Sequence, residues 1–327
     1  VTAPLLQLRG LSTHYVSARG TRVVRAVDDV SLTLDAGETL GVVGESGSGK
    51  TTLALTILRL LPLAARVVSG QILFEGEDLL TKSPVEMRRI RGKRIAMILQ
   101  DPMASLNPLF TVGDQVAEPI RVHDGTRRAS AWNRARELLR AVKIPAAEAR
   151  LRDYPHQLSG GMRQRIVGAI AISCEPRLLI ADEPTTSLDV TIQAQYLKLL
   201  RELQRQYGLA LIFITHNLGI VAKMCDQVAV MYAGRMIESG PVHQIFDAPA
   251  HPYTRALLES IPRMGDADQR LTAIEGQPPD LAAPPGGCAF HPRCPKMMDR
   301  CRTEEPPRFD VAAGQSARCW LAAPAGR

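Results

Sequence analysis

The sequence predicts an α/β fold built around a phosphate-binding loop. An antiparallel β segment precedes the loop, a helical subdomain is inserted after it, and a cysteine-containing extension ends the chain. Three observations carry that expectation. Gly44-Glu45-Ser46-Gly47-Ser48-Gly49-Lys50-Thr51 fits G-x-x-x-x-G-K-[ST] at every fixed position, between an apolar run and a helical stretch. Later in the chain, apolar strands alternate with helical segments, the mark of a largely parallel sheet flanked by helices. Between these regions, from Met103 to about Leu158, the spacing turns mainly helical.

In chain order, Leu5 to Leu11 and Val23 to Leu34 read as antiparallel strands, with Tyr15 in the Ser/Arg/Gly turn region between them. Thr39-Leu40-Gly41-Val42-Val43 reads as a buried strand, and Thr52 to Leu61 as the helix after the loop. The loop chemistry explains its residue types. Glycines let successive N–H groups turn inward onto phosphate oxygens, and the positive end of the following helix lies under the same phosphates. Lys50 would reach the β- and γ-phosphates, and the Thr51 hydroxyl would ligate Mg²⁺. Ser69 to Phe74 and Arg94 to Leu99 read as strands. Helical spacing across Ala131 to Val142 places a helix in the insertion, whose bounds are about 103–173. The alternation resumes with strand Leu178 to Ala181, helix Val190 to Tyr207, strand Ala210 to Thr215, a helix from Leu218 and a strand near Val228 to Tyr232. From Pro262, Pro and Gly rise and periodicity fades. The chain therefore divides into a nucleotide-binding part, 1–261, and an extension, 262–327.

Two further stretches carry chemistry. The strand ending Ala181-Asp182-Glu183 places two acids where ligands collect in a parallel sheet: Asp182 to hold Mg²⁺ through its water shell, Glu183 to orient and deprotonate an attacking water. Strand-end acids also serve as plain helix caps, so the pair gains weight from the loop beside it. Leu158-Ser159-Gly160-Gly161-Met162-Arg163-Gln164-Arg165 opens a helix with a second anion-binding end, read most economically as serving the nucleotide of a second subunit.

Composition bounds the rest. Apolar content of 45% and charged content of 22% are ordinary for a soluble globular protein. The net charge of +7 is spread among acids without a basic block, so no nucleic-acid partner is expected. Val1 to Gly10 lack the basic and apolar regions of a signal peptide, and Arg59 and Arg66 interrupt the longest candidate for a membrane span. A cytoplasmic protein that meets a membrane through partners is the expectation. Cys174 and Cys225 read as core residues. Cys288, Cys294, Cys301 and Cys319 cluster as C-x5-C-x6-C-x17-C, which in a reducing compartment leaves an iron–sulfur cluster, zinc or reduced thiols as alternatives. His291 is a further candidate ligand beside the more ordinary solvated histidine.

The loop, Gln100 after a strand, Leu158 to Met162, Asp182-Glu183, Ser187-Leu188-Asp189 and His216 stand in the order of the ABC transporter ATPases, which the chain resembles over residues 1 to about 250. The resemblance implies a P-loop NTPase cassette that pairs head to tail around two ATP molecules. Gly44, Glu45, Ser46, Gly47, Ser48, Gly49, Lys50, Thr51, Thr52, Gln100 and Asp182 would bind ATP and Mg²⁺, with Tyr15 stacked on adenine. Glu183 and His216 would be catalytic, Gln100 would sense the membrane subunits, Ser159, Gly160, Gly161 and Met162 would act in trans, and Asp189 would communicate across the dimer. Met162 stands where many members carry Gln, and Asn217 where Asp is common; neither removes a catalytic group.

Gln100 to Pro108, the Met-Arg-Gln-Arg after Gly161, His251-Pro252-Tyr253-Thr254-Arg255-Ala256-Leu257-Leu258 and Gly287 to Pro295 look like the dipeptide/oligopeptide/nickel importers. That branch implies a 4Fe-4S cluster on the four tail cysteines. It also implies a second cassette, identical or homologous, two integral-membrane permease subunits and an extracytoplasmic solute-binding protein, with this chain peripheral on the cytoplasmic face of the inner membrane. A nickel or other small-solute importer, and a soluble ABC ATPase of DNA repair or translation, are the competing readings.

Overall fold

The computed structural model describes residues 3–101, 105–186, 188–261 and 274–324. In chain order the elements are β1 (Leu6–Val16), β2 (Val23–Leu34), β3 (Thr39–Val43), α1 (Lys50–Ile57), β4 (Ala65–Phe74), β5 (Glu77–Asp78), α2 (Pro84–Ile90), β6 (Ile95–Ile98), α3 (Val112–Asp124), α4 (Arg128–Ala141), α5 (Ala147–Arg150), α6 (Gly160–Ile172), β7 (Leu178–Asp182), α7 (Val190–Tyr207), β8 (Ala210–Ile214), α8 (Leu218–Met224), β9 (Gln227–Tyr232), β10 (Arg235–Pro241), α9 (Val242–Asp247), α10 (Pro252–Glu259), α11 (Arg300–Thr303), β11 (Phe309–Ala312) and β12 (Gln315–Ala317). They fall into two compact units, Val1–Leu80 with Phe213–Arg327, and Thr81–Ile212.

In the first unit, β1 pairs antiparallel with β2 on one side and β4 on the other, with bulges along β1. A second run of strands pairs in the order β11-β12-β10-β9-β3. Within it β3 and β9 are parallel and the other pairs antiparallel. β3 is buried along its whole length, as its unbroken apolar run requires of a strand covered on both faces. Gly41 in β3 gives α8 its close seat, since a Cβ there would meet Val221 Cγ1 at 2.7 Å and Cys225 Sγ at 3.1 Å. In the second unit, β6 and β7 pair in parallel, and α3, α4, α5 and α6 follow one another between them. Ala131, Ala135, Leu138 and Leu139 form the buried stripe of α4, the spacing of an amphipathic helix.

Several boundaries differ from the sequence reading. β1 continues to Val16, so Tyr15 belongs to a strand and not to the turn after it. α1 stops at Ile57, short of Leu61. Arg59 adopts φ 52, and the Leu60 N–H returns to the Leu55 carbonyl at 2.8 Å, a left-handed helix end. The Arg59 guanidinium donates to the Leu79 carbonyl at 2.9 Å, which anchors that turn. β4 begins at Ala65, four residues before the apolar stretch that announces it.

The extension adds strands to the first unit. β12 pairs with β10, matching Glu238 with Ala317 and Ser239 with Ser316. Glu238, 1% exposed, accepts from the Ala250 N–H at 2.7 Å, the His251 N–H at 2.9 Å and Gln315 Nε2 at 3.0 Å. A buried carboxylate needs that many donors, and one of them comes from the extension. Arg318 of the extension reaches Asp29 and Glu305, while Arg235 pairs with Asp28 at 2.7 Å and with Glu305. Among the described residues no helix is long and apolar enough to cross a membrane.

Candidate nucleotide site

The loop from Gly44 to Thr51 joins the end of β3 to the start of α1. Its glycines are dictated by space as well as by dihedral angle. Gly44 has φ 151, and a Cβ there would meet the Met231 carbonyl oxygen at 2.2 Å; Gly49 has φ 104, and a Cβ would meet the Ala26 carbonyl oxygen at 2.1 Å. Lys50 turns back into the loop it begins. Its ammonium donates to the Gly44 and Glu45 carbonyls at 2.8 Å each and to Ser48 Oγ at 3.3 Å, and the residue is 6% exposed. The start of α1 carries no side-chain cap and no acidic residue in its first turn. A helix start without a side-chain cap, around a folded-in lysine, is the kind of geometry a phosphate-binding loop needs. Ser46, Gly47 and Thr51 are exposed, and Thr52 is half-buried. Tyr15, half-buried on β1, shares a hydrogen bond of 3.4 Å with Thr52 Oγ1. In the same unit, exposed His216 lies between the Thr215 N–H, which donates to the Val42 carbonyl at 3.2 Å, and Asn217, which caps α8.

The second unit holds the acidic pair. Asp182 ends β7 and is 2% exposed. Glu183 follows with φ 45, a left-handed backbone in a non-glycine residue. Its Oε2 accepts from Gln100 Nε2 at 3.2 Å and from Thr186 Oγ1 at 2.9 Å, so the structure brings Gln100 and Glu183 together. Ser159 caps α6, accepting from the Met162 N–H at 3.3 Å; Ser159 and Gly160 are exposed, and Gly161 and Met162 are half-buried. The two glycines differ. A Cβ on Gly161 would strike Ile192 Cγ2 at 2.7 Å, while one on Gly160 would meet nothing within 4 Å. Asp189 caps α7, with Oδ1 accepting from the Ile192 N–H at 3.0 Å. Ser187 and residues 102–104 of the motif after Gln100 lie outside the described residues. Thr186, which holds Glu183, had no signal in the sequence beyond a hydroxyl three residues on.

The Thr51 hydroxyl in the first unit and the Asp182 carboxylate in the second are each a hard oxygen donor of the kind Mg²⁺ takes. The expected metal centre of the extension is a different case. Cys288, Cys294, Cys301 and Cys319 are all unpaired thiols. The Cys288 N–H donates to the Cys301 carbonyl at 2.9 Å, and Gly287 permits that approach, since a Cβ there would meet the same oxygen at 2.4 Å. Burial raises the Cys288, Cys294 and Cys319 thiols, the last to about 11, and neighbouring cysteines add to each shift. The four cysteines thus belong to one folded segment, two of them, Cys301 and Cys319, buried in it. Yet among the described residues no group of three or more His, Cys, Asp or Glu is arranged to hold a metal ion, so the four-cysteine ligand set is not formed here. His291 is bound otherwise, its Nδ1 lying 3.0 Å from the Cys288 carbonyl. Of the two cysteines read as core, Cys225 is buried and Cys174 half-buried.

A family model described as ABC transporter matches residues 27–186, and one described as oligopeptide/dipeptide transporter, C-terminal region, matches residues 237–301. The probable peptide ABC transporter ATP-binding protein y4tR of Sinorhizobium fredii is 50% identical over 318 residues, 97% of this chain and 94% of that protein. The dipeptide transport ATP-binding protein DppD of Escherichia coli is 48% identical over 315 residues, 96% of each. Among solved structures, the cassette MJ0796, a dimer in a post-hydrolysis state bound to ADP and Pi, aligns with TM-score 0.65 at 24% identity, over 72% of this chain and 98% of that one, a likeness of fold. The cbiO1 protein of Clostridium perfringens, part of the ABC transporter complex cbiONQ, aligns with TM-score 0.64 at 28% identity, over 76% of this chain and 92% of that one. The chain belongs to the ABC transporter ATP-binding proteins, in the branch that carries the oligopeptide/dipeptide transporter C-terminal region.

Proposed function

We propose that this chain is the nucleotide-binding subunit that hydrolyses ATP to energise a peptide-class ABC importer. The observation that carries the reading is Lys50 folded into its own loop at an uncapped helix start, in a chain that matches peptide-transport relatives over nearly its whole length. In this reading the loop N–H groups and Lys50 hold the β- and γ-phosphates, and Tyr15 stacks on adenine. Thr51 and Asp182 serve Mg²⁺, which when bound neutralises charge on the phosphate oxygens. Glu183 takes a proton from the attacking water, and His216 holds the γ-phosphate. Ser159, Gly160, Gly161 and Met162 act on the nucleotide of a second cassette, identical or homologous, and Asp189 reports across that pair. Two permease subunits bind the pair at the cytoplasmic face of the membrane, and an extracytoplasmic binding protein delivers the solute. Pull-down of the native complex tests this: co-purifying permeases whose ATPase rate rises with peptide-loaded binding protein support it. Stimulation by nickel or another small solute would move the chain to that competing importer class, and DNA or ribosomes would overturn the transport reading.

For the extension, the four cysteines carried in one folded segment favour a second reading, a 4Fe-4S cluster on Cys288, Cys294, Cys301 and Cys319. Burial, with neighbouring cysteines adding to it, raises the Cys288, Cys294 and Cys319 thiols, and a bound cation is what would favour their thiolates. Metal analysis after anaerobic purification decides it. About four irons per chain support the cluster, one zinc replaces it with a Cys₄ zinc site, and no metal removes it.

A further inference from the structure

Two segments that the nucleotide chemistry leaves unexplained, around His251-Pro252-Tyr253 and around Phe290-His291-Pro292-Arg293, end on one residue of the phosphate loop, Glu45. The Arg293 guanidinium grips the Glu45 carboxylate with both arms, Nη1 to Oε2 at 2.7 Å and Nη2 to Oε1 at 3.0 Å. Its other donors are also used: Nη1 to the Tyr232 hydroxyl at 3.3 Å, Nη2 to the Ile274 carbonyl at 3.2 Å and Nε to the Glu275 carbonyl at 2.9 Å. The five N–H groups of arginine thus meet five acceptors, and its side chain is 5% exposed against 25% for Glu45. The Tyr253 hydroxyl accepts from the Glu45 backbone N–H at 2.9 Å. Beneath them Tyr232, Tyr253 and Phe290 pack ring on ring, with centroids 4.6 Å apart for the tyrosines and 5.3 Å from each to Phe290.

Glu45 is therefore held at backbone and side chain by groups outside the loop. The Glu45 carbonyl in turn accepts from the Lys50 ammonium at 2.8 Å. Moving Glu45 moves the acceptor that positions the phosphate-binding lysine. We propose that Arg293 is a positioning residue for the phosphate loop, through which docking of the C-terminal extension sets ATP affinity; the inference rests on the reading that this loop binds ATP. Linkage requires the converse: bound ATP strengthens the docking of the extension by the same factor.

The test measures fluorescent-ATP binding to the purified full chain and protease cutting of the extension with and without ATP. Arg293→Met should weaken ATP binding roughly tenfold, the size of one lost bidentate ion pair expressed as affinity. Arg293→Lys, which keeps the charge with fewer donors, should recover part of that loss. Glu45→Gln, made from the loop side, should match Arg293→Met, and the double variant should be no worse than either alone. ATP should protect the extension from protease in the wild type and not in Arg293→Met. Arg293→Met binding ATP within twofold of wild type, or single losses that multiply in the double variant, would overturn the proposal; if Arg293→Met fails to fold, Glu45→Gln carries the same comparison. A wild-type chain that binds no ATP would remove the nucleotide reading itself, a separate outcome from tight wild-type binding with an indifferent Arg293.

Discussion

At the scale of single residues, Glu183 shows how the candidate chemistry is set up. A left-handed backbone at a non-glycine position costs on the order of 1–3 kcal/mol and persists only where neighbours impose it. Here the Gln100 amide and the Thr186 hydroxyl both donate to one oxygen of its carboxylate, fixing where the side chain points. A carboxylate held in one orientation is what a base for water requires. Glu183→Gln keeps an acceptor for both bonds and removes the basicity. ATP binding should persist while turnover falls on the order of 10²–10⁴-fold, the usual worth of a general base. Single-turnover hydrolysis by the purified complex checks it, and near-normal turnover would withdraw the role.

At the scale of elements, α6 gives the clearest contrast. Gly161 is small because Ile192 leaves it no room, a reason internal to the chain. Gly160 faces open space, so nothing in its own chain demands a glycine there, which is what a residue meeting another subunit's nucleotide would show. If Gly160 acts in trans as proposed, Gly160→Asp should leave ATP affinity of the monomer unchanged while abolishing ATP-driven pairing and hydrolysis, because it would set a charge at a helix start meant to receive phosphate. Sedimentation with ATP separates the effects; loss of ATP binding by the monomer would refute action in trans.

Elements also mark what the sequence made legible. β3, α7 and the start of α8 were readable because apolar period, Gly208 after α7 and the Asn217 cap agree. The end of α1 was not, since apolar Leu58, Leu60 and Leu61 continue the pattern while the left-handed turn at Arg59 breaks it with no glycine to announce it. β12 was hidden for another reason: three residues, Gln315, Ser316 and Ala317, carry no alternation and are fixed by pairing with β10 and by Glu238. The His251 and Phe290 segments were visible only as markers of a branch, and their convergence on Glu45 needs the fold to bring residues 208 and 248 positions away beside the loop.

At the scale of the whole molecule, the extension, the aromatic cluster and the phosphate loop share one compact unit, and a buried titratable group lies at their junction. His251 is 1% exposed, its Nδ1 accepts from the Tyr253 N–H at 3.0 Å to cap α10, and its ring lies 5.8 Å from that of Phe290. The Glu238 carboxylate on β10 takes the His251 backbone N–H and is already committed to Ala250 and Gln315. Burial drives the imidazole down from 6.5 to about 3. Below the unfolded value near 6.5 the unfolded chain takes up a proton that the folded chain refuses, so stability is complete above that pH and drains away as pH falls toward 3. One such proton is worth about 1.4 kcal/mol per pH unit, hence about 2 kcal/mol between pH 6.5 and 5. His251→Asn keeps a capping acceptor and cannot titrate, so it should lose stability at neutral pH through smaller packing yet show a pH slope shallower by one proton. Urea unfolding followed through Trp320 in a Trp132→Phe background reads the unit that carries His251, since these are the chain's two tryptophans. Parallel slopes for the two proteins between pH 7 and 5 would mean that His251 is protonated in the folded state and that the α10 cap is made another way.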